Sequence, residues 1–350
     1  MNKKHVRIPI VELLLVAASI ALAPYLAPAQ TPHATSTAGS CEPAGDLKFV
    51  CGPISVEDFL PVDGGRWLVG GSYKVGSAGL YLIDTQAKSY KDVALSTAAK
   101  TDPRYDCPAP DLKGLQTHGL DVVPGHDGIT TVYAVNHGGR ESVEVFRLNA
   151  AKASAEWVGC VVMPPGVNPN SVAALAKGAF VVTKFLDNND KEAFQHILAG
   201  QVNGAVYLWT PGKSFSEVPG TQLSGDNGIL ASHDGKWIYV NAYGTREIYR
   251  VPLSGQGERT SVKVDFNPDN LRWAPDGTIF ATGQFVTAQS LRGRHGWATV
   301  RVDPTTLKVT PVVKEPGYAQ FDDATSAVQV GQTLWFGTFR GDRVAYRQAP

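Results

Sequence analysis

Glu57, His118, Asn170, Asn227, Asp269 with Asn270, and Asp323 or Thr325 recur at one phase of a repeated pattern, each just ahead of a short apolar run. Carboxylate and amide oxygens gathered this way suit a hard divalent cation, because calcium takes about six to eight oxygen ligands and accepts Asn carbonyls readily. Zinc would call for His or Cys. A single Asn in such a place reads as a turn former bonding its own backbone, but oxygen side chains repeated at one phase point to a shared site. Asp63, Asp127, Asp234 and Asp276 fall in the hairpin turns instead, where the turn-forming role accounts for them. His118 and His137 form a second constellation, His137 following the apolar strand that runs back towards the ring. Two neighbouring imidazoles can take a proton from water at neutral pH, the second orienting the first. His126, His233 and His295 read as structural residues, and His196 is left open.

These side chains need a scaffold that returns each of them to one place. After residue 41 the 3.6-residue period of helices is scarce, whereas β-branched and aromatic runs bounded by Asp-Gly, Gly-Gly and Pro-Gly recur. One phrase returns six times: a polar residue, a short strand, a Gly-containing turn and a second strand. Its leading positions 57, 118, 170, 227, 270 and 325 are spaced by 61, 52, 57, 43 and 55 residues, close to the length of a four-stranded blade. The expectation is an all-β, six-bladed β-propeller over 41–350 with a central metal site; a pair of β-sandwiches is the competing architecture. Asp187 to Gly204, and within it Lys191 to Leu198, is the one helix candidate outside the leader, either a substrate wall or a plain connection. Tyr73, Phe185, Phe194 and Phe285 are candidates for an apolar wall.

The chain has 350 residues with 32 Lys and Arg against 32 Asp and Glu, so nothing predicts capture of a nucleic-acid backbone. Lys3, Lys4 and Arg7, the apolar run to Leu26 and Ala27-Pro28-Ala29 predict a secretory signal over 1–29, followed by a flexible lead-in over 30–40. The protein is expected to be exported, periplasmic or extracellular, meeting a membrane only through an uncleaved signal. Cys41, Cys51, Cys107 and Cys160 then favour disulfides over metal ligation. Three pairings are open; Cys41 with Cys51 and Cys107 with Cys160 is the expectation, the first pair lying where the domain begins.

His118-Gly119-Leu120, Val135-Asn136-His137, Glu141 to Phe146, Asn168-Pro169-Asn170, Asp226 to Ile229, Asp269-Asn270 and Ala324 to Thr338 resemble the serum paraoxonase/arylesterase family. The likeness covers nearly the whole mature chain, and a more distant one extends to gluconolactonase and regucalcin-like propellers. It implies a catalytic calcium held by Glu57, Asn170, Asn227, Asn270 and Asp269, with His118 and His137 as the catalytic pair. It also implies a second, structural calcium using an Asp beside the catalytic Asn. Ser171 stands there, although Asp58 is kept, so that second set is incomplete. The family's disulfide between the chain ends has no counterpart, because no cysteine follows Cys160; closure is left to strand pairing.

The expected function is a secreted, calcium-dependent hydrolase of lactones and aryl esters acting on a small-molecule substrate. A gluconolactonase-like sugar-lactone hydrolase, and a non-catalytic calcium-stabilised propeller that binds an extracellular partner, are the alternatives. No G-x-S-x-G elbow supports a serine hydrolase, and no Walker A or credible dinucleotide fingerprint is present.

Overall fold

The computed structural model describes residues 41–291 and 293–350; the leader assigned to 1–29 and the lead-in at 30–40 lie outside the described residues. Strand β1 (Lys48–Cys51) comes first. Blade one contains β2 (Phe59–Val62), β3 (Trp67–Gly71), β4 (Leu80–Asp84) and β5 (Ser89–Asp92). Blade two contains β6 (Ala94–Thr97), β7 (Thr117–Pro124), β8 (Ile129–Asn136), β9 (Ser142–Asn149) and β10 (Ser154–Val162). Blade three follows with β11 (Val167–Ala174), β12 (Phe180–Asp187), β13 (Ala205–Trp209) and β14 (Ser216–Glu217). Blade four has β15 (Asp226–Ala231), β16 (Trp237–Ala242), β17 (Glu247–Pro252) and β18 (Thr260–Lys263). Blade five has β19 (Asn267–Trp273), β20 (Ile279–Gln284), β21 (Trp297–Val302) and β22 (Val309–Glu315). Blade six has β23 (Ala324–Val330), β24 (Thr333–Thr338) and β25 (Arg343–Gln348), with β1 added antiparallel to β25 as its outer strand. The expected six-bladed all-β propeller is therefore the fold, and strand pairing between the two ends of the domain closes it.

Each blade is a meander of antiparallel strands; blade two alone gains a parallel outer strand, β6 against β10. A blade has two apolar faces and cannot bury both by itself, so neighbours stack. Each of the six junctions has its own core: Leu82 and Phe146 lie between blades one and two, and Val145 and Phe180 between two and three. Val181 and Ile238, then Ile248 and Ile279, then Trp297 and Phe336, and finally Trp335 and Tyr81 fill the next four. Trp157, Trp297 and Trp335 are fully buried, and truncating side chains of that size costs about 3–5 kcal/mol.

Near the axis the junctions are polar and stitched by hydrogen bonds. Ser72 N–H donates to Thr117 Oγ1 (2.7 Å), Ala174 N–H to Asp121 Oδ2 (2.7 Å) and Thr183 Oγ1 to Asn227 O (2.7 Å). Asn241 Nδ2 donates to Asp269 O (2.7 Å), Gln284 Nε2 to Ala324 O (2.9 Å) and Ser326 Oγ to Glu57 O (3.0 Å), so all six junctions are tied. The cysteines pair as Cys41–Cys51 and Cys107–Cys160, fastening the segment before β1 and the loop before β7.

Candidate active site

The first-paired strands β2, β7, β11, β15, β19 and β23 surround the axis, each touching the next around the ring. Five of them lose register with their hairpin partner beside the ring residue: Thr117 to Leu120, Pro169 to Val172, Asp226 to Ile229, Pro268 to Leu271 and Ala324 to Ser326. Those breaks contain His118, Asn170, Asn227, Asp269 with Asn270, and Thr325; Glu57 lies just ahead of β2. An irregularity that frees a residue from the ladder turns its side chain out of the pleat and towards the axis. Glycine follows the ring residue twice for a steric reason. A Cβ on Gly119 would stand 2.5 Å from Asn170 O, and one on Gly228 would stand 2.2 Å from Asp269 O. The next blade can approach only because those side chains are absent.

The five predicted metal ligands are all buried and meet around one axial pocket, with Glu57, Asn170, Asn227 and Asp269 among its lining residues. Asn270 Nδ2 donates to Glu57 Oε1 (2.5 Å), and Gln284 Nε2 donates to Asp269 Oδ2 (2.8 Å). The remaining oxygens, Glu57 Oε2, Asn170 Oδ1, Asn227 Oδ1 and Asn270 Oδ1, have no hydrogen-bond partner. Four partnerless acceptors at one pocket are costly in a folded chain unless a positive group meets them, and their chemistry is that of a calcium site. Among the described residues no cluster of three or more His, Cys, Asp or Glu is placed to hold a metal; here amide oxygens complete the set, so the donors fit a hard cation and not zinc. Burial, then repulsion from Asp269 and Asp58, pushes the Glu57 carboxyl well above its ordinary value. Burial likewise raises Asp269 to about 7. A divalent cation would reverse both penalties.

His118 and His137 are in contact, His118 Nδ1 lying 2.9 Å from His137 Nε2. His137 Nδ1 is 2.6 Å from Glu141 Oε2. A carboxylate accepts, so His137 carries its proton on Nδ1 and offers the Nε2 lone pair to His118 Nδ1–H. The chain of donors leaves His118 Nε2 as the free base, 3.8 Å from Glu57 Oε1. Burial, and secondarily His137, hold the His118 pKa well below the ordinary histidine value, so the ring is neutral at pH 7. Tyr73 lies against both rings, 4.4 Å from His118 and 5.7 Å from His137 between centroids. Glu141 was given no role from the sequence; its signals were the spacing His137-x-x-x-Glu141 and its place at the head of the segment Glu141 to Phe146.

The pocket has a volume of about 300 Å³ and is lined by both aromatic and polar side chains. Tyr73, Phe185, Phe194 and Tyr243 supply aromatic surface, the last three in mutual ring contact. Phe285 is not on this wall; it packs on Phe266 beneath Lys314. Helix α1 (Ala193–Leu198) is shorter than the expected segment but brings Phe194 to the pocket, anchored by Ser224 Oγ donating to Ile197 O (3.0 Å). Gln284, His295, Asp323 and Arg340 add polar groups to the lining, Gln284 Oε1 accepting from Tyr243 OH (3.1 Å). His295, read as a hydrogen-bonded structural residue in a polar stretch, is bonded through Nδ1 to Asp323 Oδ1 (2.6 Å) and is buried in the pocket lining. His196 bonds Asp190 near the surface, His233 stacks on Trp273, and His126 is exposed; none reaches the ring.

A six-bladed propeller with an axial pocket that joins buried oxygen side chains to aromatic surface is the class that fold and site define. The chain matches the SMP-30/Gluconolactonase/LRE-like region over residues 70–327 and belongs to that family. No curated protein matches it in sequence. Among solved structures, a luciferin-regenerating enzyme aligns with a TM-score of 0.55 at 12% identity, covering 85% of this chain and 92% of that one. A calcium-binding protein, regucalcin from Agrobacterium tumefaciens, aligns with a TM-score of 0.50 at 13% identity, covering 86% and 94%. Both likenesses show the shared fold. Membership is thus established for the broader family, and no match singles out the paraoxonase/arylesterase branch that the local segments resemble.

Proposed function

We propose that the protein is an exported, calcium-dependent hydrolase of lactones and aryl esters. The observation that carries this reading is the set of partnerless oxygens of Glu57, Asn170, Asn227 and Asn270 beside a neutral imidazole whose Nε2 is free. Calcium held by these residues and Asp269 would act as a Lewis acid on the substrate carbonyl and stabilise negative charge on its oxygen. His118 Nε2 takes a proton from water as it attacks that carbonyl. The positive charge then gained by His118 is shared through Nδ1–H with His137, which Glu141 holds in position. Tyr73 packs against both rings and fixes their planes. The aromatic wall of Phe185, Phe194 and Tyr243 seats an acyl chain or aryl ring and keeps bulk water from the reacting carbon. Two disulfides support export to an oxidising compartment.

A sugar lactone is the second reading, favoured by the polar lining groups of Gln284, Asp323 and Arg340 and by the family itself. Hydrolysis of an aliphatic lactone, a sugar lactone and phenyl acetate, measured with calcium and then with chelator, separates the readings. Chelator-sensitive turnover of the aliphatic lactone and phenyl acetate is expected. Preference for the sugar lactone favours the second reading. Absence of turnover in a protein that calcium still stabilises makes it a binding propeller.

A further inference from the structure

Beneath the ring, at the same axis, lies a second charged group that the proposed reaction does not use. Arg272 and Asp58 are both buried and form an ion pair through Arg272 Nη2 and Asp58 Oδ2. The same Nη2 donates to Leu120 O (2.9 Å), and Nη1 donates to Leu271 O (2.8 Å). Asp58 also accepts Phe59 N–H at Oδ1 (2.9 Å) and Leu120 N–H at Oδ2 (2.8 Å). A guanidinium from β19 in blade five thus crosses the axis to blades one and two.

The connections to the ring are immediate. Asp58 follows Glu57, Leu120 lies two residues after His118, and Arg272 lies two after Asn270. A carboxylate and a backbone carbonyl facing one another are the donors a hard cation takes. What meets these oxygens is a permanent cation with a rigid fork, fixed covalently to a strand. Without it, Glu57, Asp58 and Asp269 would concentrate three buried carboxylates at one axis.

We propose that Arg272 is the tunnel's resident cation: it neutralises Asp58, ties three blades beneath the ring, and limits the tunnel to one exchangeable divalent ion. The inference rests on the cation reading of the ring, and its test reads ion stoichiometry instead of turnover. Calcium is titrated by calorimetry into chelator-treated wild type, Arg272→Ala, Arg272→Lys and Asp58→Asn/Arg272→Ala. Wild type and Arg272→Lys are expected to bind one ion, Arg272→Ala two, and the double variant one again. One ion with unchanged affinity in Arg272→Ala overturns the proposal, as does a wild type that binds two. A wild type that binds none removes the ring reading; an ion gained by Arg272→Ala then upholds the proposal, and none gained overturns it. Should Arg272→Ala fail to fold, Arg272→Gln keeps a hydrogen-bonding side chain in place. Calcium should then raise its Tm more than that of wild type, with Asp58→Asn removing the excess; an equal rise contradicts the proposal.

Discussion

Two rings of oxygen side chains recur with the blades, one at the axial pocket and one in the hairpin turns, and only the first is left unsatisfied. In the turns, Asp234 Oδ1 accepts from Ser232 Oγ (2.6 Å) and Lys236 N–H (3.0 Å), and Asp276 Oδ1 accepts from Thr278 N–H (3.1 Å) and Oγ1 (2.6 Å). Those bonds lower both carboxyls below the usual aspartate value. Asp63 and Asp127 sit at positive φ, 51° and 56°, as turn residues do. At the pocket the same functional groups are buried, their acids are pushed up, and four oxygens lack donors. Periodicity alone therefore does not mark a site. What distinguishes the functional ring is that its own chain leaves it incomplete.

The largest effect should follow from Glu57→Gln, which removes a formal charge from the ring. Calcium affinity should fall by more than about 100-fold, beyond what outer partners of a metal site contribute, with turnover lost; retained affinity would break the contrast between the rings. His118→Gln should lower lactone and ester turnover by about 10²–10⁴-fold while calcium binding stays as in wild type. Undiminished turnover would leave water activation to the cation and a carboxylate.

A smaller effect concerns stability. Asp269 is raised to about 7 in the folded protein against roughly 4 in an unfolded chain. Its favourable contribution is therefore complete below about pH 4 and is lost as pH rises through 7. Burial shifts Glu57 in the same direction. The Tm of cation-free protein should fall between pH 5 and pH 8, and saturating calcium should abolish the fall; a calcium-independent profile would detach these acids from ion binding. The smallest effect should be that of Asp234→Ala, which should leave calcium affinity and turnover unchanged when both are measured beside Glu57→Gln.

Much of this contrast was legible in the residues themselves. The six polar-strand-turn-strand phrases located the blades, because each is a local hairpin whose signals lie within about twenty residues of one another. The ring residues were legible for the same reason, since each precedes its own hairpin. What stayed hidden depends on contacts between distant blades. Arg272 meets Asp58 at a separation of 214 residues, and nothing near Trp273 announces a buried guanidinium. His295 sits among Arg and Gly residues that suggest solvent, yet Asp323 from the next blade draws it into the pocket wall. Phe285 misled for the opposite reason: an aromatic after a strand end can face either the pocket or the neighbouring blade. The parallel pairing of β6 on β10 has no hairpin signal at all, because it joins segments about sixty residues apart.

Calorimetric titration of calcium into chelator-treated protein, with Asn227→Ala alongside, tests the central claim most directly. One ion per chain in wild type, bound far more weakly by the variant, is the predicted result. No binding in wild type, or equal binding in both, would contradict a cation site built from the partnerless oxygens of the ring.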